Sequence, residues 1–176
     1  MTRDEILSAA LNLLDEGAQG LTMRALASRL GVTPMSLYHH VEDRNGLLRA
    51  LSDRVYAEVL EGKGHQTSPE EEVRAILMNY HEAIRRHPQL TLAIWAAPEA
   101  FAGVTRQITD HLTALLSEVT TEPCLWRDIL IDHAHGSGLP ISQAYGGLDQ
   151  TEIMREQYLQ ALDRLLGCLA GGAAAD

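Results

Sequence analysis

The sequence predicts an all-α protein, and three observations carry that expectation. Apolar residues recur at three- and four-residue spacing along nearly the whole chain, the period of a helix and not the alternation of a strand. Aromatic residues, which favour strands, make up only 5% of the chain. Capping residues, first-turn prolines and stop glycines punctuate the sequence at helical lengths. With 176 residues, 45% of them hydrophobic and 22% charged, there is enough apolar material for a core, in one large domain or two small ones.

The first helix opens on the capping box Thr2-x-x-Glu5 and carries Ile6, Leu7, Ala10, Leu11 and Leu14 on one face, with Gly17 to close it. Thr22 caps the second, "MRALASRL", whose Leu26, Ala27 and Leu30 turn inward. Gly31 stops that helix, Val32 plugs the turn, and Thr33 caps a third helix with Pro34 at its first position, where a missing N–H costs nothing. Two short helices joined by a tight glycine turn have the logic of a helix-turn-helix.

The third helix, about residues 34 to 40, lies inside "LGVTPMSLYHHVED". Leu37 and Val41 stand one turn apart and anchor it, leaving Met35, Ser36, Tyr38, His39 and His40 mostly outside. So short a helix buries too little to exist for stability. Its Tyr, His and Ser can donate to phosphate oxygens, while Ser, His and the carbons of Met35 and Pro34 suit base edges and thymine methyls. On local physics alone a solvated connector, with the Tyr lying over the core, is the plain alternative.

Asp43 caps a long fourth helix bearing Leu47, Leu48, Leu51, Val55, Tyr56 and Val59, with Arg44 in a first turn that favours a bound phosphate. "EGKGHQTS", 61–68, is the best linker candidate. Ser68, Pro69 and Glu70 to Glu72 start a fifth helix that runs to Pro88. "QLTLAIWAA" is a short apolar helix ended by Pro98. Phe101, Val104, Ile108, Leu112, Leu115, Leu116 and Val119 stripe the next. The last two, about 123–145 and 150–169, are apolar over more of their surface and want a second partner, which a homodimer supplies. Gly136 and Gly138 read as close-approach points for a partner helix, Pro140 as a kink, and the tail "GGAAAD" as frayed.

The net charge of -10 is unevenly spread. Residues 1–50 hold five Arg against six Asp or Glu, and residues 51–176 hold nine basic against eighteen acidic. Only the first part can approach a polyanion. Cys124 and Cys168, without a CxxC pair, are expected as buried thiols in a reducing compartment. No apolar run approaches the roughly 20 residues that span a bilayer, and "MTRDEILSAA" lacks the pattern of a signal, so the expected place is the cytoplasm with no membrane partner.

The stretch "ILSAALNLLDEGAQGLTMRALASRLGVTPMSLYHHVEDRNGLLRAL" closely resembles the DNA-binding domain of TetR-family transcriptional regulators. The ordered set carries the resemblance: G-x-x-G-L-T-x-R-x-L-A, then L-G-V, then S-L-Y-x-H-V before a Leu-rich helix. It implies a nine-helix, all-α homodimer joined through the last two helices. Residues 1–46 would form the helix-turn-helix domain, 47–170 a ligand-binding and dimerisation domain, and 171–176 a disordered tail. The implied partners are a palindromic double-stranded DNA operator and a small-molecule effector, with repression the commoner mode. The family's DNA-contact positions fall on Arg24, Thr33, Pro34, Met35, Ser36, Tyr38, His39, His40 and Arg44. Tyr38, His40 and Arg44 would meet phosphates and the others bases. Residues 39 and 44 depart from what many members carry, so the operator sequence does not transfer.

Beyond residue 60 the resemblance is one of helical layout only. Met78, His81, Trp95, Phe101, His111, Trp126 and His133 are candidates to line a ligand pocket, each being large or polar on an otherwise apolar helix. Asp128, Asp132 and His135 share one helix face but lack a second ligand cluster, so no metal and no cofactor are expected. A helical enzyme or a non-DNA-binding interaction protein is the alternative. Against an enzyme, the chain has no nucleophile elbow, phosphate loop or HExxH.

Overall fold

The computed structural model describes residues 1–17, 21–61, 68–139 and 148–172. Among them every regular element is helical: α1 (Arg3–Asp15), α2 (Met23–Leu30), α3 (Pro34–Tyr38), α4 (Arg44–Tyr56), α5 (Pro69–Arg86), α6 (Pro88–Trp95), α7 (Val104–Leu116), α8 (Pro123–Gly138) and α9 (Leu148–Gly172). Two 3-10 turns, Ala57–Leu60 and Pro98–Ala100, join them. Among the described residues no helix is long and apolar enough to cross a membrane. The chain folds as two compact units, Met1–Ala57 with His87–Arg106, and Glu58–Arg86 with Gln107–Asp176.

In the first unit the local signals act as written. Thr2 and Glu5 close a reciprocal capping box on α1, Thr22 accepts the Ala25 N–H, and Asp43 accepts the Gly46 N–H at 2.7 Å. Gly31 adopts φ +67°, the left-handed conformation that ends α2 and that a side chain would resist. Ile6, Leu14, Leu21, Leu26, Leu37, Leu47, Leu48 and Leu51 are fully enclosed. Leu30, expected inward, is only half-buried, because it is the last residue before the glycine turn. The span from His87 to Arg106 packs here as well, with Leu90, Thr91, Ala93 and Ile94 of α6 buried towards α1 and α4.

The second unit centres on α5, whose Val73, Ile76, Leu77, Tyr80, His81, Ala83 and Ile84 are buried against α8 and α9. Gly138 permits the close approach of α8 to α5: a methyl there would stand 2.8 Å from Ile84 Cγ2. Its partner helix is therefore one of the same chain. Gly136, expected to share that role, faces open space. On α9 the buried stripe is Tyr158, Leu162, Leu166 and Leu169, while Ile153 and Met154 are exposed, as are Leu125 and Ile129 of α8.

Cys124 and Cys168 are not buried thiols; both are exposed. Cys124 stands in the first turn of α8 beside Pro123, and Cys168 falls off the three- and four-residue period of the α9 stripe. The third helix ends at Tyr38, short of the expected residue 40, and α8 is described to Gly138. Most of the linker candidate (62–67), the Pro140 kink and residues 173–176 of the tail lie outside the described residues.

The two glycines of α8 should respond oppositely to substitution. Gly138→Ala is expected to cost about 1–3 kcal/mol through overpacking against Ile84. Gly136→Ala should be neutral or stabilise by up to about 1 kcal/mol through helix propensity. Urea unfolding of the two variants compares them directly.

Candidate nucleic-acid interface

The geometry of the first unit begins with a five-residue helix that cannot stand by itself. Leu37 is completely buried and Val41 nearly so, and between them they fix which face of α3 is outside. That face presents Met35, 69% exposed, and Tyr38, 45% exposed, with His39 and His40 exposed beyond the helix end. Thr33 accepts the Ser36 N–H, and the two hydroxyls lie 3.0 Å apart, so both are partly engaged in starting the helix. Ser36 is half-buried, and Thr33 and Pro34 are exposed.

Arg24 is exposed in the first turn of α2 and Arg44 is exposed at the start of α4. Arg44 Nε donates to the Leu21 carbonyl at 3.4 Å, which brings the start of α4 beside the start of α2. Two helix N-termini, each with an Arg, thus stand together next to α3. This combination of free backbone N–H groups, positive dipole ends and guanidinium groups suits phosphate oxygens. All nine residues singled out for DNA contact are therefore on α2, α3, its flanks and the start of α4, and eight of them are exposed.

The residues singled out for a ligand are divided. In the second unit a cleft of about 380 Å³ between α5 and α9 is lined by Met78, Asn79, His81, Glu82, Arg85, Glu152, Arg155, Tyr158 and Leu159. Met78 and His81 are among the expected residues. His133 joins them indirectly: the Tyr158 ring stacks on His81 at 3.7 Å and on His133 at 5.1 Å. His111 is paired with Glu72 at 2.7 Å, and Trp126 is half-buried on α8. Trp95 and Phe101 belong to the first unit and are about half exposed. Sequence reasoning missed Tyr158, although a large polar-tipped ring on an apolar helix was the criterion used for the others.

Burial also sets the chemistry here. His81 is pushed down to about 4 by burial and by the Arg85 charge, and its Nε2 lies 3.3 Å from Ser137 Oγ. His135, part of the discarded metal alternative, is buried, lies 2.8 Å from the Tyr80 hydroxyl, and is likewise held below its ordinary value by burial. Among the described residues no group of three or more His, Cys, Asp or Glu is placed to hold a metal ion.

Comparison with known proteins gives consistent likenesses. A family model described as bacterial regulatory proteins, tetR family, matches residues 6–51. The HTH-type transcriptional repressor DrrR1 of Streptomyces coeruleorubidus is 30% identical over 171 residues, covering 89% of this chain and 62% of DrrR1. The chain therefore spans less than two thirds of that relative's length. The transcriptional regulator SCO7222, a TetR from Streptomyces coelicolor, superposes with a TM-score of 0.73 at 26% identity, covering 97% of this chain and 98% of that one. BioQ, solved with its double-stranded DNA operator, shares the fold at a TM-score of 0.72 and 21% identity, covering 97% and 98%.

The depressed His81 gives a pH dependence whose sign is fixed. The unfolded chain binds this proton near pH 6.5 and the folded chain only near 4, so the stability is fully present above 6.5 and is lost as pH falls towards 4. Between pH 7 and pH 5 the loss is about 2 kcal/mol. Thermal melts of the unaltered chain and of His81→Gln across that range should diverge, the variant giving the flatter profile.

Proposed function

We infer, from the premise that this chain belongs to the tetR family of bacterial regulatory proteins, that it is a DNA-binding transcriptional regulator acting as a repressor. The family is one of regulators and not of enzymes, and the chain stands with it. The observation that carries the reading is the outward polar face of α3, held by Leu37 and Val41 beside the two Arg-bearing helix starts. In this reading residues 1–46 contact DNA and residues 47–170 sense a ligand and dimerise. Arg24, Thr33, Pro34, Met35, Ser36 and His39 read bases; Tyr38, His40 and Arg44 take phosphates.

A homodimer sets two copies of α3 in successive major grooves of a palindromic operator, about 34 Å apart or somewhat more. The exposed Leu125, Ile129, Ile153 and Met154 on α8 and α9 support those helices as the dimer surface. An effector in the cleft beside the His81–Tyr158 stack changes the separation of the two heads, and a coupling of about 1–3 kcal/mol suffices to release DNA. The protein works in the cytoplasm, where its operator lies. This reading is supported by the operator-bound BioQ, which shares the fold.

Selection of bound duplexes from random DNA, followed by gel shift, tests the reading: specific, salt-sensitive binding sustains it, and its absence overturns it. Arg44→Ala is expected to weaken all duplexes alike and lower the salt slope by about one unit. Tyr38→Phe should cost about 1 kcal/mol without changing sequence preference. His39→Ala should instead change which bases are preferred. Sedimentation of Ile153→Arg reports on the dimer, which is expected to weaken when that charge enters the α8 and α9 surface.

A further inference from the structure

The first residue of α7 poses a local problem. Helix starts leave backbone N–H groups unpaired, and a side chain at the preceding position ordinarily accepts from them. Here that position is Gly103, which has no side chain and sits at φ +61°. The acceptor comes instead from α4: Asp53 Oδ1 takes the Val104 N–H at 2.9 Å. The fit is close, because a Cβ on Gly103 would collide with the Asp53 carboxylate. A glycine and a carboxylate fifty residues apart thus act as one cap, with the carboxylate at the positive end of the α7 dipole.

Two further bonds join α4 to the same segment. Asn45 Nδ2 donates to Glu99 Oε2 at 2.7 Å, and the buried Tyr56 hydroxyl lies 2.8 Å from Thr91 Oγ1. Positions 45, 53 and 56 fall within one face of a helix, so α4 is fastened along its length to the span 87–106. The other side of α4 carries the buried Leu47, Leu48 and Leu51, α4 packs on α1, and its first residue is Arg44. Because α4 packs on α1, α1 on α2 and α2 on α3, the attitude of α4 is passed to the candidate reading helix through α1 and α2.

We propose that Asp53 is a positioning residue for operator recognition: by capping α7 in the space that Gly103 leaves, it fixes α4, and through α4 the angle at which α3 meets the bases. The proposal rests on the DNA-binding reading above. Asp53 touches no DNA in this account and acts only through geometry.

The test titrates the full chain with a duplex recovered from random DNA and with a scrambled duplex, and records salt slope and thermal midpoint. Asp53→Ala is expected to weaken the selected duplex about tenfold, leaving the scrambled duplex and the salt slope unchanged because no phosphate contact is lost. Asp53→Asn, whose carbonyl oxygen still accepts the Val104 N–H, should stay within about twofold. Gly103→Ala, which drives a methyl into the intact carboxylate, should reproduce the tenfold loss. If Asp53→Ala does not fold, the Asp53→Asn and Gly103→Ala pair decides by the same comparison. Asp53→Ala and Gly103→Ala chains that bind the selected duplex like the unaltered chain overturn the proposal alone, as does a parallel fall in selected and scrambled binding. An unaltered chain that prefers no duplex overturns the parent reading and the proposal with it.

Discussion

The burial of Leu37 and Val41 is the constraint on which the functional geometry depends. A five-residue helix has no stability of its own, since one hydrogen-bonded turn does not offset the cost of nucleating it. Burying these two side chains contributes about 1.5–3 kcal/mol each, and their spacing of one turn defines a single rotational setting. With that setting fixed, Pro34, Met35 and Tyr38 of α3 and the two His after it are turned outward as a consequence, while Ser36 is half-buried. The polar surface is a by-product of the apolar anchor.

That anchor acts on a neighbour held equally firmly. Arg44 is tied to the Leu21 carbonyl, Asp43 caps the helix that Arg44 begins, and Asn45, Asp53 and Tyr56 fasten the same helix to the span 87–106. The second unit has a different character. Its interior carries stacked and hydrogen-bonded rings, with His81, Tyr158 and His133 face to face and Tyr80 against His135. Burial keeps His81 and His135 from taking up a proton easily, which suits a core that must stay neutral.

What was legible in the sequence was what local chemistry decides. The caps at Thr2, Thr22, Thr33 and Asp43, the stop at Gly31 and the inward Leu37 and Val41 each depend on residues within one helical turn, and all are where the spacing put them. What was not legible depends on partners distant along the chain. Nothing near Gly103 announces a cap from Asp53, and nothing in "QLTLAIWAA" says that Thr91 meets Tyr56. The cysteines were misjudged because an apolar neighbourhood in sequence does not give a side chain's direction; Cys168 lies one residue from the buried Leu169 and still points to solvent. Of the residues offered for a ligand site, Met78 and His81 share a cleft while Trp95 and Phe101 lie in the other unit, a division that only tertiary packing makes.

The first unit is discontinuous, and this bears on how the protein is made. A nascent chain that has left the ribosome only as far as residue 60 holds α1 to α4 but lacks α6, so Tyr56 has no Thr91 and the side of α4 that α6 covers is bare. The N-terminal unit cannot close until Arg106 has emerged, by which time all of α5 is already outside the exit tunnel. Domains generally fold in the order of synthesis, but here the interleaved chain makes the earliest-translated helices wait for a segment translated much later.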